Sequence, residues 1–167
     1  MERRITEEQV TKAIIDWLET NGWEIICYDF PQSGTGVPLH LNQELRTTKN
    51  KGLFIPDIVA IKNGVVIFFE NKDRFVLSDF QKIQMLKSTT NYEVSITKFL
   101  EGYNYSEIFY GVGLSHTSKT EQRTNEHLEK IDFAVFRYED NTIKVNFDPH
   151  NIFSSSNDSN NIGPLAL

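Results

Sequence analysis

The sequence predicts an α/β domain built on a mixed sheet with helices packed against it, and three observations predict it. An amphipathic stretch with readable ends opens the chain, from Thr6 to Gly22. Two apolar runs then meet at Asn63-Gly64, the strongest short hairpin signature a sequence offers. A second helical pattern and further strand-like segments follow, so the order reads αβββαβ with a final hairpin. At 167 residues, with 12 Phe, 6 Tyr and 2 Trp, the chain supplies enough large apolar side chains for one real core.

In the first helix, Thr6 followed three residues later by Gln9 forms a capping-box pattern, and Val10, Ala13, Ile14, Trp17 and Leu18 make the apolar face. Gly22 terminates it, and "WEIICYDF" reads as the first strand. The segment from Phe30 to Gly52 is long for a connection, carries glycines and prolines, and ends in the basic residues Arg46, Lys49 and Lys51. Strands are expected over Leu53–Lys62 and Val65–Lys72, and Ser78 with Gln81 suggests a capping box opening a helix to about Thr89 with Phe80, Ile83 and Leu86 inward. "YEVSITKFL" fits helix or strand. "SEIFYGVGLS" reads as a strand, and "SKTEQRTNEHLEKI" as helical in its second half. "DFAVFRYEDNTIKVNF" reads as a second hairpin, suited to dimerisation or to covering the sheet. Residues 1–150 are thus expected to form a single domain, and the Ser/Asn-rich residues 151–167 a flexible tail.

Charge and composition narrow the function classes. A net charge of −6 argues against nonspecific wrapping of nucleic acid by the whole surface, while leaving room for a local basic groove. No apolar run approaches the about 18 residues that span a bilayer, and "MERRITEEQ" lacks a signal-peptide core. The single cysteine, Cys27, reads as a small buried hydrophobe in a reducing cytoplasm. His40, His116, His127 and His150 have no metal-ligand spacing, and Asp73 with Arg74 reads as a local surface pair.

The informative stretch is "PDIVAIKNGVVIFFENK", Pro56 to Lys72, where charges interrupt an apolar hairpin. With a two-residue turn at Asn63-Gly64, Lys62 pairs with Val65, and counting outward brings Asp57 opposite Glu70, with Cβ atoms roughly 5 Å apart. Lys72, two residues beyond Glu70, shares their face. Two carboxylates so placed repel unless a cation lies between or beside them.

Pro56-Asp57, a hairpin, then Glu70-Asn71-Lys72 resembles the signature of the PD-(D/E)xK nuclease superfamily, and the element order from roughly Thr6 to Ser115 resembles its restriction-endonuclease-like core. That resemblance implies a Mg²⁺-dependent DNA endonuclease, with Mn²⁺ able to substitute. Asp57, Glu70 and the Asn71 carbonyl would hold the metal, and Lys72 would orient or activate the attacking water. It also implies an acid on the first helix, for which the helical wheel favours Glu7 over Glu8. Arg46, Lys49, Lys51, Gln81 and Gln84 are candidates for contacting nucleic acid. Restriction-type double-strand cleavage by a homodimer is the leading expectation, with sequence recognition by this chain or by a separate subunit. A Holliday-junction resolvase or an RNA nuclease is the alternative within the chemistry. A catalytically weak nucleic-acid-binding or assembly module is the alternative outside it. One departure from the family pattern is Asn71, where an apolar residue is usual. Its side chain should face away from the carboxylates, toward solvent, the helix after Ser78, or DNA.

Overall fold

The computed structural model describes residues 6–29, 39 and 54–153. Helix α1 spans Glu7–Thr20, strand β1 Glu24–Tyr28, β2 Ile58–Lys62 and β3 Val65–Lys72. Helices α2 (Leu77–Ser88) and α3 (Glu93–Phe99) follow, then β4 (Glu107–Ser115), α4 (Ser118–Asn125), a 3₁₀ turn over Leu128–Lys130, β5 (Phe133–Arg137) and β6 (Ile143–Phe147). The six strands form one sheet in chain order. β1, β2 and β3 run antiparallel in turn, β3, β4 and β5 run parallel, and β6 returns antiparallel to β5. This mixed sheet flanked by helices is the restriction-endonuclease-like architecture that the sequence predicts. Helix α3 occupies the segment that fits helix or strand, and α4 lies in the polar segment expected to be helical.

Alternation along the strands divides the core between two faces. Ile58, Ala60, Ile67 and Phe69 pack with Val10, Ile14 and Leu18 of α1 and with Phe133 and Val135 of β5. Val59, Val66 and Phe68 point the other way, against Phe80, Ile83 and Leu86 of α2 and Ile96 and Leu100. Ile14, Leu18, Phe69 and Phe80 are fully buried, each such side chain contributing about 1.5–3 kcal/mol of transfer free energy. β3 is covered on both sides from Val66 to Asn71, as a strand with parallel and antiparallel neighbours should be.

The ends of α1 form as expected: Thr6 and Gln9 close the capping box in both directions. At the hairpin, Asn63 (φ 48°) and Gly64 (φ 82°) take the two left-handed conformations of a tight turn, and the register runs from Lys62↔Val65 to Ile58↔Phe69.

Four expectations are corrected. α2 begins at Leu77 with Val76 as its cap residue and no side-chain cap, so Ser78 lies inside the first turn rather than at its entrance. The polar segment after β4 is helical in its first half, because Thr117 caps it by accepting from the Thr120 N–H. Its buried positions are Thr120 and Thr124, which no hydrophobic pattern reveals. The final hairpin neither covers the sheet nor stands apart from it. It extends the sheet in plane, with Phe133, Ala134, Val135 and Phe136 buried. Packing also continues past residue 150, since Ile152 and Phe153 are buried against the α1 face and Phe153 lies 5.1 Å from the Trp17 ring, centroid to centroid.

Candidate active site

The β2–β3 ladder stops one residue short of Asp57. There the chain bends, directly after Pro56, which has no N–H to offer a ladder. Asp57 is nonetheless held from three sides. Its N–H donates to the Phe69 carbonyl (2.9 Å), its carbonyl accepts from the Asp29 N–H (2.8 Å), and its Oδ2 accepts from the Asn71 N–H (2.7 Å). The last bond has a simple cause. Asn71 is fully buried and lies beyond the end of β2, so its amide has no strand carbonyl opposite, and a side-chain oxygen takes that place.

Glu70 and Lys72 follow on β3 with the alternation the sequence predicts. Asp57 and Glu70 are each only 6% exposed, which is rare for carboxylates not paired at short range. Burial raises both well above the ordinary carboxylate range. For Asp57 the charge of Glu70 adds to burial, and the Asn71 N–H and Lys72 oppose it only in part. For Glu70, Lys82 is the largest opposing influence, followed by Lys72, while Asp79 and Glu7 add to the rise. The two carboxyls interact, so their protons leave in two steps that belong to the pair. Glu70 Oε1 is buried without a hydrogen-bond partner.

Two helix N-termini deliver the remaining charges. Glu7, in the first turn of α1, places Oε1 3.7 Å from Lys72 Nζ. Glu8 points outward and pairs with Lys12 (2.9 Å). Asp79, in the first turn of α2, is 6% exposed and places Oδ2 3.8 Å from Lys72 Nζ. Lys82, one helical turn on, lies 3.6 Å from Glu70 Oε2. Burial disfavours the Lys72 ammonium, but Asp79, Glu7, Glu70 and Asp57 together outweigh it and keep its pKa above the ordinary value. Lys72 therefore carries its charge at neutral pH in the metal-free protein.

Asn71 reaches neither solvent nor α2. Its side chain crosses to α1, where Nδ2 donates to Thr11 Oγ1 (3.0 Å), and Thr11 is itself fully buried. Gly113 on the neighbouring strand makes this possible, since a Cβ there would collide with Ile14 and the Asn71 amide.

Asp57, Glu70, Lys72 and Glu7 thus converge, with Asn71 anchoring the strand between them. Gln81 and Gln84 lie exposed on α2. Arg46, Lys49 and Lys51 fall outside the described residues. Sequence reasoning missed Asp79 and Thr11 and gave Lys82 no role. The spacing of Asp79 and Lys82, three apart on one helix face and just beyond Lys72, was the available signal. Among the described residues no three His, Cys, Asp or Glu side chains gather into a ready metal cage. The donors in place are two buried carboxylates, Asp57 and Glu70. That suits a hard cation that keeps several of its waters, and the unpartnered Glu70 Oε1 gives such an ion an oxygen to bind.

No protein-family model and no curated protein matches the chain. Among solved structures it is similar to an XisH family protein from Nostoc punctiforme, at 14% identity over 83% of this chain and 99% of that one, with a TM-score of 0.42. It is also similar to a fdxN element excision controlling factor protein from Anabaena variabilis, at 16% identity over 82% of this chain and 96% of that one, with a TM-score of 0.40. At such scores neither likeness bears on what this chain does. Among the described residues no helix is long and apolar enough to cross a membrane.

Proposed function

We propose that the chain is a Mg²⁺-dependent nuclease that hydrolyses phosphodiester bonds in DNA. The observation that carries this reading is the pair of buried carboxylates, Asp57 and Glu70, raised in pKa and with Glu70 Oε1 unpartnered, beside the Lys72 ammonium. A buried carboxylate oxygen without a donor is costly, and a bound cation would satisfy it. Asp57, Glu70 and the Asn71 carbonyl would hold Mg²⁺, or Mn²⁺ in its place. When bound, the ion supplies Lewis acidity and a more acidic water. Lys72, braced by Glu7 and Asp79, donates hydrogen bonds to a phosphate oxygen and to the attacking water and offsets charge that builds on the phosphate. Gln81 and Gln84, with the basic Arg46, Lys49 and Lys51, are the proposed contacts to the nucleic-acid backbone. Cleaving both strands requires two such centres, so the proposed acting unit is a homodimer. A separate subunit for sequence recognition is compatible with it.

The test incubates the protein and Lys72→Ala with supercoiled plasmid, linear duplex, a four-way junction and RNA, each with Mg²⁺. Discrete fragments from duplex DNA, lost in Lys72→Ala, support restriction-type cleavage. Cutting of the junction or of RNA alone replaces that substrate class. Binding of DNA with no cleavage of any substrate overturns the catalytic reading in favour of a binding or assembly module.

A further inference from the structure

The two lysines at the site are held differently, and the difference assigns them different work. Lys72 Nζ sits between Glu7 on α1 (3.7 Å) and Asp79 on α2 (3.8 Å), so both helices fix it. Lys82 has Glu70 Oε2 at 3.6 Å and, on its other side, the Phe54 ring, whose centroid is 5.4 Å from Nζ. Phe54 is itself buried and fixed by its bridge to Leu39. Lys82 is also the more exposed of the two, at 39% against 27% of the side chain. Nζ thus already lies within cation–π range of Phe54 while it faces Glu70, so a flexible stem can give up the carboxylate and keep the ring.

We propose that Lys82 is an internal stand-in for the divalent cation. In the metal-free protein it neutralises Glu70. When the cation binds, Lys82 gives up that carboxylate, keeps its contact with Phe54 and turns toward solvent and the approaching phosphate. Lys72 stays in place throughout. The inference rests on the proposed metal-binding role of Glu70 and adds a competitor for it that belongs to this chain.

Mn²⁺ binding followed by calorimetry on the wild-type protein, Lys82→Met and Lys87→Met tests this. Lys87 lies on the same helix but pairs with Asp132 at 3.0 Å, so its variant controls for losing one α2 charge. Removing a unit charge about 4 Å from the site should tighten Mn²⁺ binding about fivefold or more in Lys82→Met and leave Lys87→Met unchanged. In parallel, acetylation of the wild-type protein, read by mass spectrometry, should label Lys82 faster with Mn²⁺ present and Lys72 no faster. This second measurement needs no variant and reads displacement directly. Equal Mn²⁺ affinity in Lys82→Met, or Lys82 labelling that Mn²⁺ leaves unchanged or slows, overturns the inference while leaving the metal site standing. Absence of Mn²⁺ binding in every protein overturns both this inference and the metal-dependent reading beneath it.

Discussion

The main-chain N–H of Asn71 donates to Asp57 Oδ2 at 2.7 Å, across the end of the β2–β3 hairpin. The bond joins the two halves of the motif and gives Asp57 a structural duty in addition to any chemical one. It completes the hydrogen bonding of a fully buried strand residue where the partner strand has run out. One carboxylate oxygen is thus committed to the fold, and the charge of the group is set against Glu70.

These two duties can be separated by substitution. Asp57→Asn keeps an oxygen to accept from Asn71 and removes the charge. It should melt at or above the wild-type temperature in metal-free buffer above neutral pH, and lose any melting-temperature rise on adding Mg²⁺ or Mn²⁺. Asp57→Ala removes the acceptor as well. Orphaning the buried Asn71 N–H costs about 1–3 kcal/mol, so this variant should melt roughly 2–12 °C below Asp57→Asn. Thermal melts of the three proteins with metal and with chelator make the comparison. Equal melting of the Asn and Ala variants would show that the bond contributes nothing.

The raised carboxyls make stability depend on pH with a definite sign. Burial lifts Asp57 from 3.8 to about 8, with Glu70 adding to the rise, and burial lifts Glu70 from 4.5 to about 7. In the unfolded chain both ionise near pH 4, so above that the folded state holds the extra protons. Their contribution to stability is complete below about pH 4, falls as pH rises, and is lost once pH passes about 7 for Glu70 and about 8 for Asp57. Metal-free protein should therefore lose stability to urea between about pH 4 and about pH 8. Saturating Mg²⁺, which favours the ionised pair, should flatten that decline. A metal-free urea midpoint that rises over this range, after correction by the Asp57→Asn, Glu70→Gln double variant, contradicts the assignment.

How much of this was legible depended on which force fixed each element. The hairpin was readable because Asn63-Gly64 tolerates two positive φ angles, which sets the turn and with it the register from Lys62 back to Ile58. α1 was readable because Thr6 and Gln9 cap it locally. α2 was misread at its start because Ser78 resembles a cap, whereas the helix is entered through Val76 with no side-chain bond. α4 hid itself by burying threonines. The site followed the same division. Asp57, Glu70 and Lys72 lie on one hairpin, and strand alternation groups Glu70 with Lys72. Asp79 and Lys82 reach them only through the packing of α2 on the sheet, and the Asn71–Thr11 bond only through the packing of α1.

That Asn71–Thr11 bond predicts a coupling between β3 and α1. Thr11→Val keeps the shape of the side chain but leaves the buried Asn71 Nδ2 without its acceptor, a loss of about 1–3 kcal/mol. Asn71→Leu places a similar volume there and strands the Thr11 hydroxyl, with a loss of similar size. The double variant removes donor and acceptor together and should recover much of the loss, giving a coupling of about 1 kcal/mol or more. Urea midpoints at unchanged m-value measure all three. Strict additivity would mean that the two groups do not depend on each other in the folded protein.

Glu7 and Glu8 are neighbours in sequence and opposites in setting, and the last prediction uses the contrast. Glu8 is the more open of the two and pairs with Lys12 one turn along α1 (2.9 Å), an arrangement that contributes little. Glu8→Gln should alter stability by less than about 0.5 kcal/mol and leave cleavage unchanged. Glu7 is half-buried and faces Lys72 across 3.7 Å, so its charge acts on the orientation of that ammonium. Glu7→Gln should lower the cleavage rate roughly 10–100-fold, the usual cost of removing an outer partner of a metal-site residue. Because Glu7 works through Lys72, DNA affinity measured with Ca²⁺ should hardly change, and Glu7→Asp should restore part of the rate. Combined with Lys72→Ala, Glu7→Gln should add little further loss, since the group it positions is already gone. Full additivity of the two losses would instead make Glu7 an independent participant at the site.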